Sequence, residues 1–184
     1  MKRIIFICIC FGVLSCQKNV YFNEIEKSFL ETYNIGDTLI FESGKGEKDT
    51  VAILDKNLGY AQWNPLAHSG EYKTLSGETY YGSDKKLYMN EPYPYTLLSI
   101  SKSHPDTSFF YINIRGASIL KRFSTSTYNA FDKFKINDST YLFQSQKTKE
   151  NKVSTEYVYW NINYGITQYI GSDSIVWKRI NTPK

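Results

Sequence analysis

The sequence predicts a mainly β fold: an antiparallel meander forming a barrel, a half-barrel or a sandwich, with one short N-terminal helix. Two observations carry this. The composition favours strands, with sixteen Tyr, eleven Phe and three Trp in 184 residues and frequent Thr, Ser and Ile against scarce Ala. From Thr38 onward, short runs alternate apolar with polar residues and are broken by Gly, Asn, Asp and Pro, the rhythm of an all-β domain. Most runs hold five to eight residues, fewer than the ~9–11 of a transmembrane barrel strand.

In chain order, Asn23–Tyr33 places Ile25, Phe29 and Leu30 at helical spacing, which predicts the short helix. After the break at Asn34–Asp37, Thr38–Ser43 sets Leu39 and Phe41 on one face, and Asp49–Leu54 does the same with Val51 and Ile53. The intervening Gly44-Lys45-Gly46-Glu47 reads as a hairpin tip; it lacks the spacing of a phosphate-binding loop. A third strand is expected at Gly59–Trp63. Residues 64–95, rich in Gly, Ser, Tyr and Pro, read as an irregular, ligand-facing segment. Strands are then expected at Thr96–Ser101, Ser108–Arg115, Ala117–Phe123, Thr140–Gln146, Glu156–Ile162, Gly165–Ile170 and Ser174–Ile180. Tyr128–Phe134 repeats aromatics every three residues and reads as a helical turn or a strand.

Ahead of this domain stand two basic residues, Lys2 and Arg3, then an uncharged apolar run from Ile4 to Leu14. That order is the pattern of an export signal, and the run is shorter than the ~20 residues needed to span a bilayer. Its last four residues, Val13-Leu14-Ser15-Cys16, resemble the lipobox of bacterial lipoproteins. The resemblance implies cleavage between Ser15 and Cys16 and attachment of diacylglycerol and an acyl chain such as palmitate to the Cys16 thiol. The expected organisation is a signal peptide over 1–15, a lipidated N-terminus and linker over 16–20, and one β-rich domain over 21–184. Cys8 and Cys10 leave with the signal, so the mature chain holds one cysteine, and it carries lipid; no disulfide or thiol metal site is expected. Two or more acyl chains hold a protein on a membrane far better than one. Gln17-Lys18-Asn19 lacks the acidic pair of some surface-exported lipoproteins, which points to the outer membrane facing the periplasm, with surface exposure as the alternative.

Without Lys2 and Arg3 the formal charge of +4 falls close to neutrality. Acidic and basic residues are interspersed, and no Lys/Arg stripe suits a phosphate backbone, so no nucleic-acid partner is expected. Gly36-Asp37-Thr38-Leu39-Ile40-Phe41, with Asp49-Thr50-Val51 and the closing Tyr157-Val158-Tyr159-Trp160-Asn161, Tyr164-Gly165-Ile166-Thr167-Gln168-Tyr169 and Val176-Trp177-Lys178-Arg179, resembles small β-rich lipoproteins of unassigned function from Gram-negative bacteria of the Bacteroidetes kind. The closing pattern is also similar to lipoprotein-carrier half-barrels, which hold acyl chains in a curved sheet. Neither resemblance transfers a catalytic or binding residue.

Catalytic signals are sparse. His68 and His104 are the only histidines. Ser69 beside His68 would face away from it in a strand, and no G-x-S-x-G elbow occurs. Metal-ligand spacing is missing, and Glu71, Glu78 and Glu91 show no pairing suited to glycoside cleavage. Four triplets, beginning at Asp37, Asp49, Asp138 and Asp173, read Asp, then Ser or Thr, then an apolar residue or Thr. They resemble O-glycosylation acceptors of exported proteins, and they also suit a turn that opens a strand. The expectation is a non-enzymatic envelope domain without cofactor beyond the lipid on Cys16. It would bind an apolar (lipid or acyl-chain) or glycan ligand, with Trp63, Tyr80, Tyr81, Tyr93 and Tyr95 as candidate contacts. The alternatives are a structural or interaction subunit docking to an envelope protein and, third, an enzyme acting on envelope glycans.

Overall fold

The computed structural model describes residues 17–60, 71–83, 94–114, 117–124 (backbone), 134–145 and 155–181. Its strands are β1 (Lys18–Asn19), β2 (Thr38–Ser43), β3 (Lys48–Tyr60), β4 (Tyr72–Lys73), β5 (Leu75–Ser83), β6 (Tyr95–His104), β7 (Thr107–Ile114), β8 (Ala117–Ser124), β9 (Lys135–Asn137), β10 (Thr140–Gln144), β11 (Thr155–Asn161), β12 (Gly165–Gly171) and β13 (Val176–Arg179). The single helix among the described residues, α1, spans Glu24–Glu31. The predicted antiparallel meander with its N-terminal helix is what the chain forms.

Eleven strands share one sheet in the order β8-β7-β6-β5-β3-β2-β13-β12-β11-β10-β9. Two meanders are joined where β13 pairs antiparallel with β2, Trp177 opposite Ser43 and Arg179 opposite Phe41. The sheet curls. Phe110 on β7 and Phe143 on β10 lie eight steps apart in strand order, which a flat sheet would spread over roughly 38 Å. Their ring centroids are 5.2 Å apart, and Thr155 of β11 donates its hydroxyl to the Ile114 carbonyl of β7 at 3.0 Å. The architecture is therefore a curled half-barrel whose terminal strands, among the described residues, are β8 and β9.

Alternation sorts the side chains. Leu39 and Phe41, Val51 and Ile53, Leu98 and Ile100, Phe110 and Ile112, Phe143, Val158 and Trp160 are all buried, each two residues from its neighbour on the same strand and hence on one face. The helix closes the interior. Asn23 caps it: its side chain accepts from Glu26 N at 2.8 Å and its own N–H donates to Glu26 at 2.7 Å, the reciprocal bonding of a capping box. Phe29 meets Phe110 at 4.6 Å and Trp160 at 5.1 Å between ring centroids. Tyr33 stands edge-on to Trp160 at 5.6 Å.

Two elements differ from expectation. The runs Asp49–Leu54 and Gly59–Trp63 belong, as far as Tyr60, to one thirteen-residue strand. A register shift between Ile53 and Asp55 reverses the phase, so Lys56, Leu58 and Tyr60 take the sheet side of Thr79, Gly77 and Leu75 opposite them. This part of the strand lies past the core, and Leu58 and Tyr60 stay exposed. The segment 64–95 is not irregular throughout, because β5 lies inside it. Its inward positions are Leu75, Gly77, Thr79 and Tyr81, and the Gly and Thr hide the alternation. Gly77 sits against the helix: a Cβ there would overlap the Leu30 side chain of α1, which would have to shift. The stretch Tyr128–Phe134 lies outside the described residues except for Phe134, which is half-buried against the core.

Candidate functional site

Of the candidate contacts, Tyr80, Tyr81 and Tyr95 are described; Ser15, Cys16, Trp63 and Tyr93 lie outside the described residues, as do His68 and Glu91. Tyr81 is 1% exposed and pairs across the strands with Tyr95, ring centroids 5.7 Å apart. Both belong to the core or its margin. Tyr80, next in the strand, points to the opposite face, where its hydroxyl donates to the Glu78 carboxylate. That bond, with burial second, pushes the Tyr80 hydroxyl up to about 12. Among the described candidates, Tyr80 therefore faces away from Tyr81 and Tyr95.

His104 ends β6, exposed, with its ring 5.2 Å from that of Tyr72 and its Nδ1 accepting from Asp106 N at 3.2 Å. Glu71 pairs with Lys18 at 2.7 Å, and this hydrogen bond holds the Glu71 carboxyl below its ordinary value. Of the Asp-Ser/Thr triplets, Asp49 is buried and accepts from the Tyr169 hydroxyl at 2.5 Å. Asp37, Asp138 and Asp173 stand at or beside the starts of strands. Among the described residues no group of His, Cys, Asp and Glu could hold a metal ion, and no helix is long and apolar enough to cross a membrane.

A buried polar cluster was not anticipated. Lys102 on β6 and Ser108 on β7 sit directly opposite each other and point inward, where α1 supplies Glu26. Lys102 Nζ lies 3.0 and 3.2 Å from the two Glu26 oxygens, and the Ser108 hydroxyl donates to the same carboxylate. Glu26 is fully buried, Ser108 1% and Lys102 4% exposed. The hydroxyl gives its proton to a carboxylate already engaged by an ammonium, so the cluster offers no activated nucleophile to solvent; it fixes the helix to the sheet. One signal for it exists in the sequence: Lys102 is in phase with Leu98 and Ile100, and Ser108 with Phe110 and Ile112.

On the outer surface, a groove of about 640 Å³ lies beside the β2–β3 hairpin tip, lined among others by Glu42, Lys45, Val176, Lys178 and Ile180. Glu42 and Lys178 face each other across β2 and β13, so charge of both signs sits beside apolar side chains. At the other end of β3, pairing with β2 stops at Ala52, while pairing with β5 continues to Tyr60. Eight large apolar side chains are exposed among the described residues. Five of them (Tyr21, Ile35, Leu54, Leu58 and Tyr60) lie on this overhang or beside segments bonded to it through Tyr60 Oη to Val20 O and Gly36 N to Ile53 O. The Lys56 ammonium, in the same stretch, donates to Tyr33 O just beyond the helix C-terminus at 2.6 Å; burial lowers its pKa.

The chain matches no protein-family model, no curated protein and no solved structure.

Proposed function

We propose that the chain is an exported lipoprotein of the bacterial cell envelope, anchored through lipid on Cys16, whose β domain acts as a non-enzymatic interaction subunit. The observation that carries the docking role is the interior. Phe29, Tyr33, Phe110, Phe143 and Trp160 are each no more than 1% exposed and in ring contact with one another. These side chains of α1 and the barrel wall pack on one another on the concave side of the sheet, where a carrier would hold an acyl chain. Recognition then belongs to the outer surface, and the partner is an envelope protein. The anchor itself rests on the order Lys2-Arg3, apolar Ile4–Leu14 and Val13-Leu14-Ser15-Cys16.

A second reading, a small apolar or glycan ligand, is favoured by the groove beside the β2–β3 tip. One experiment separates them: purification of the full chain from its own host after mild crosslinking, with intact and native mass spectrometry. Docking predicts loss of residues 1–15, diacylglycerol and acyl mass on Cys16, a crosslinked envelope protein and no small-molecule adduct. A co-purifying adduct released by solvent, with no crosslinked protein, would replace docking by the ligand reading. A mature chain without lipid would remove the anchor.

A further inference from the structure

The domain begins almost without a linker, and this fixes how it meets the membrane. Lys18 N donates to Glu71 O at 2.8 Å, Lys18 and Asn19 pair in parallel with Tyr72 and Lys73, and Val20 and Phe22 are buried. The backbone is held from Lys18 onward, two residues after Cys16, and two extended residues reach at most roughly 7 Å. A lipid whose chains lie in the hydrocarbon therefore keeps Lys18 within the headgroup region or at its outer boundary, since that region is only about 5–8 Å deep on each side.

We propose that the face formed by Tyr21, Leu58 and Tyr60 lies against the bilayer, so that the domain is seated on the membrane surface. This rests on the Cys16 anchor proposed above. Tyr21 is 71%, Leu58 65% and Tyr60 37% exposed. The Tyr60 hydroxyl donates to Val20 O at 2.6 Å, which brings its ring beside Tyr21, and Leu58 shares its strand face. Tyrosine with an apolar neighbour suits the headgroup boundary, where the ring is partly desolvated and the hydroxyl stays wet. Exposure in water is unfavourable for these side chains, and the short tether brings a partly apolar medium to them. The opposite end of β3, roughly 40 Å away along the strand at 3.3 Å per residue, carries the hairpin tip and the groove. Seated in this way, the domain presents that end away from the lipid.

The test uses the lipidated chain in phosphatidylethanolamine–phosphatidylglycerol vesicles. The Cys16 thiol is occupied by lipid, so Tyr21→Cys, Leu58→Cys and, at the hairpin tip, Lys45→Cys each provide one free thiol for an environment-sensitive fluorophore. The three positions are exposed, and labelling them leaves the core untouched. Labels at 21 and 58 are expected to shift their emission to the blue and to be quenched by lipids carrying a nitroxide near the headgroup, and the label at 45 to do neither. If the protein floats with the vesicles while all three labels behave alike, the seating is overturned and the anchor stands. A purified chain that carries no acyl mass and does not float overturns the anchor and the seating together.

Discussion

Replacing Lys102 by Met tests how the helix is held. Methionine keeps the length and apolar stem of the side chain and removes the ammonium that lies 3.0 and 3.2 Å from the Glu26 oxygens. Glu26 retains the Asn23 N–H at 2.7 Å and the Ser108 hydroxyl, so its oxygens stay hydrogen-bonded; what it loses is its counter-charge. Leaving one member of a buried pair typically costs about 3–5 kcal/mol, and the two surviving donors put the expected loss at the lower end, about 3 kcal/mol. With a urea m-value of about 2 kcal/mol per molar, this moves the midpoint down by about 1.5 M. Trp160 fluorescence is the natural probe, because Phe29 and Tyr33 pack on its ring and loosening of α1 changes its surroundings first. Adding Glu26→Gln removes the stranded charge. The amide oxygen can still accept from Asn23 N–H, and the Ser108 hydroxyl, which met the other carboxylate oxygen, can turn to accept from the amide nitrogen. The double variant should therefore regain more than half of the loss. A Lys102→Met cost below about 1 kcal/mol, the range of exposed pairs, would refute a desolvated pair. So would a double variant no more stable than the single one.

Three further outcomes follow from the same geometry. Gly165 has φ +73° and a Cβ there would overlap the Tyr33 hydroxyl, which accepts from Ile166 N at 2.7 Å. Gly165→Ala should therefore cost roughly 2–4 kcal/mol in urea unfolding, against roughly 1 kcal/mol for Gly46→Ala, which has φ +78° but open space around it. Gly77→Ala should cost about 1–3 kcal/mol by pressing on Leu30, and on a Leu30→Ala background its cost should largely vanish in a double-mutant cycle. The Tyr80 hydroxyl stands near 12 in the fold against an ordinary 10.0, so the folded state holds this proton more tightly than the unfolded chain. The stability of the wild type relative to Tyr80→Phe should stay level up to about pH 10 and shrink between pH 10 and 12. A difference that stays level across that window would remove the Glu78 bond as its source.

Most of the barrel was legible because its strands obey a two-residue period: Leu39 with Phe41, Phe110 with Ile112 and Ile114, Val158 with Trp160 each share a face. The pattern failed where geometry broke the period or small residues hid it. The bulge after Ile53 carries Asp55-Lys56-Asn57-Leu58, which alternation reads as a break between two strands, into one continuous strand. In β5, Gly77 faces inward because Leu30 occupies the place of its side chain, a reason visible only once helix and sheet are packed together. β1 and β4 are two residues each, too short for any period. The aromatic density in this stretch does not say where each ring goes: Tyr81 is buried while Tyr80, the next residue, faces the other way, because sequence does not reveal which face of β5 is turned inward.

The buried Glu26–Lys102–Ser108 cluster shows why sequence alone says little about what this domain does. Its members are 76 and 82 positions apart from Glu26, and each has an innocent local reading: a helix-capping glutamate, a strand-end lysine, a serine after a turn. Three polar groups at inward positions are costly to bury, and what they achieve here is orientation. An apolar helix face could slide over an aromatic interior, since ring contacts are weakly directional; an ion pair at 3.0 Å sets one position. That position puts Phe29 among Phe110, Phe143 and Trp160 and sends the N-terminal segment out across β4 beside Tyr60. The pair that orients α1 thus also determines where the chain leaves the barrel, and so which face lies beside Lys18. Filling the interior and orienting the surface are two results of one contact, which is why the Lys102 variant should disturb both core packing and the environment of a label at position 21.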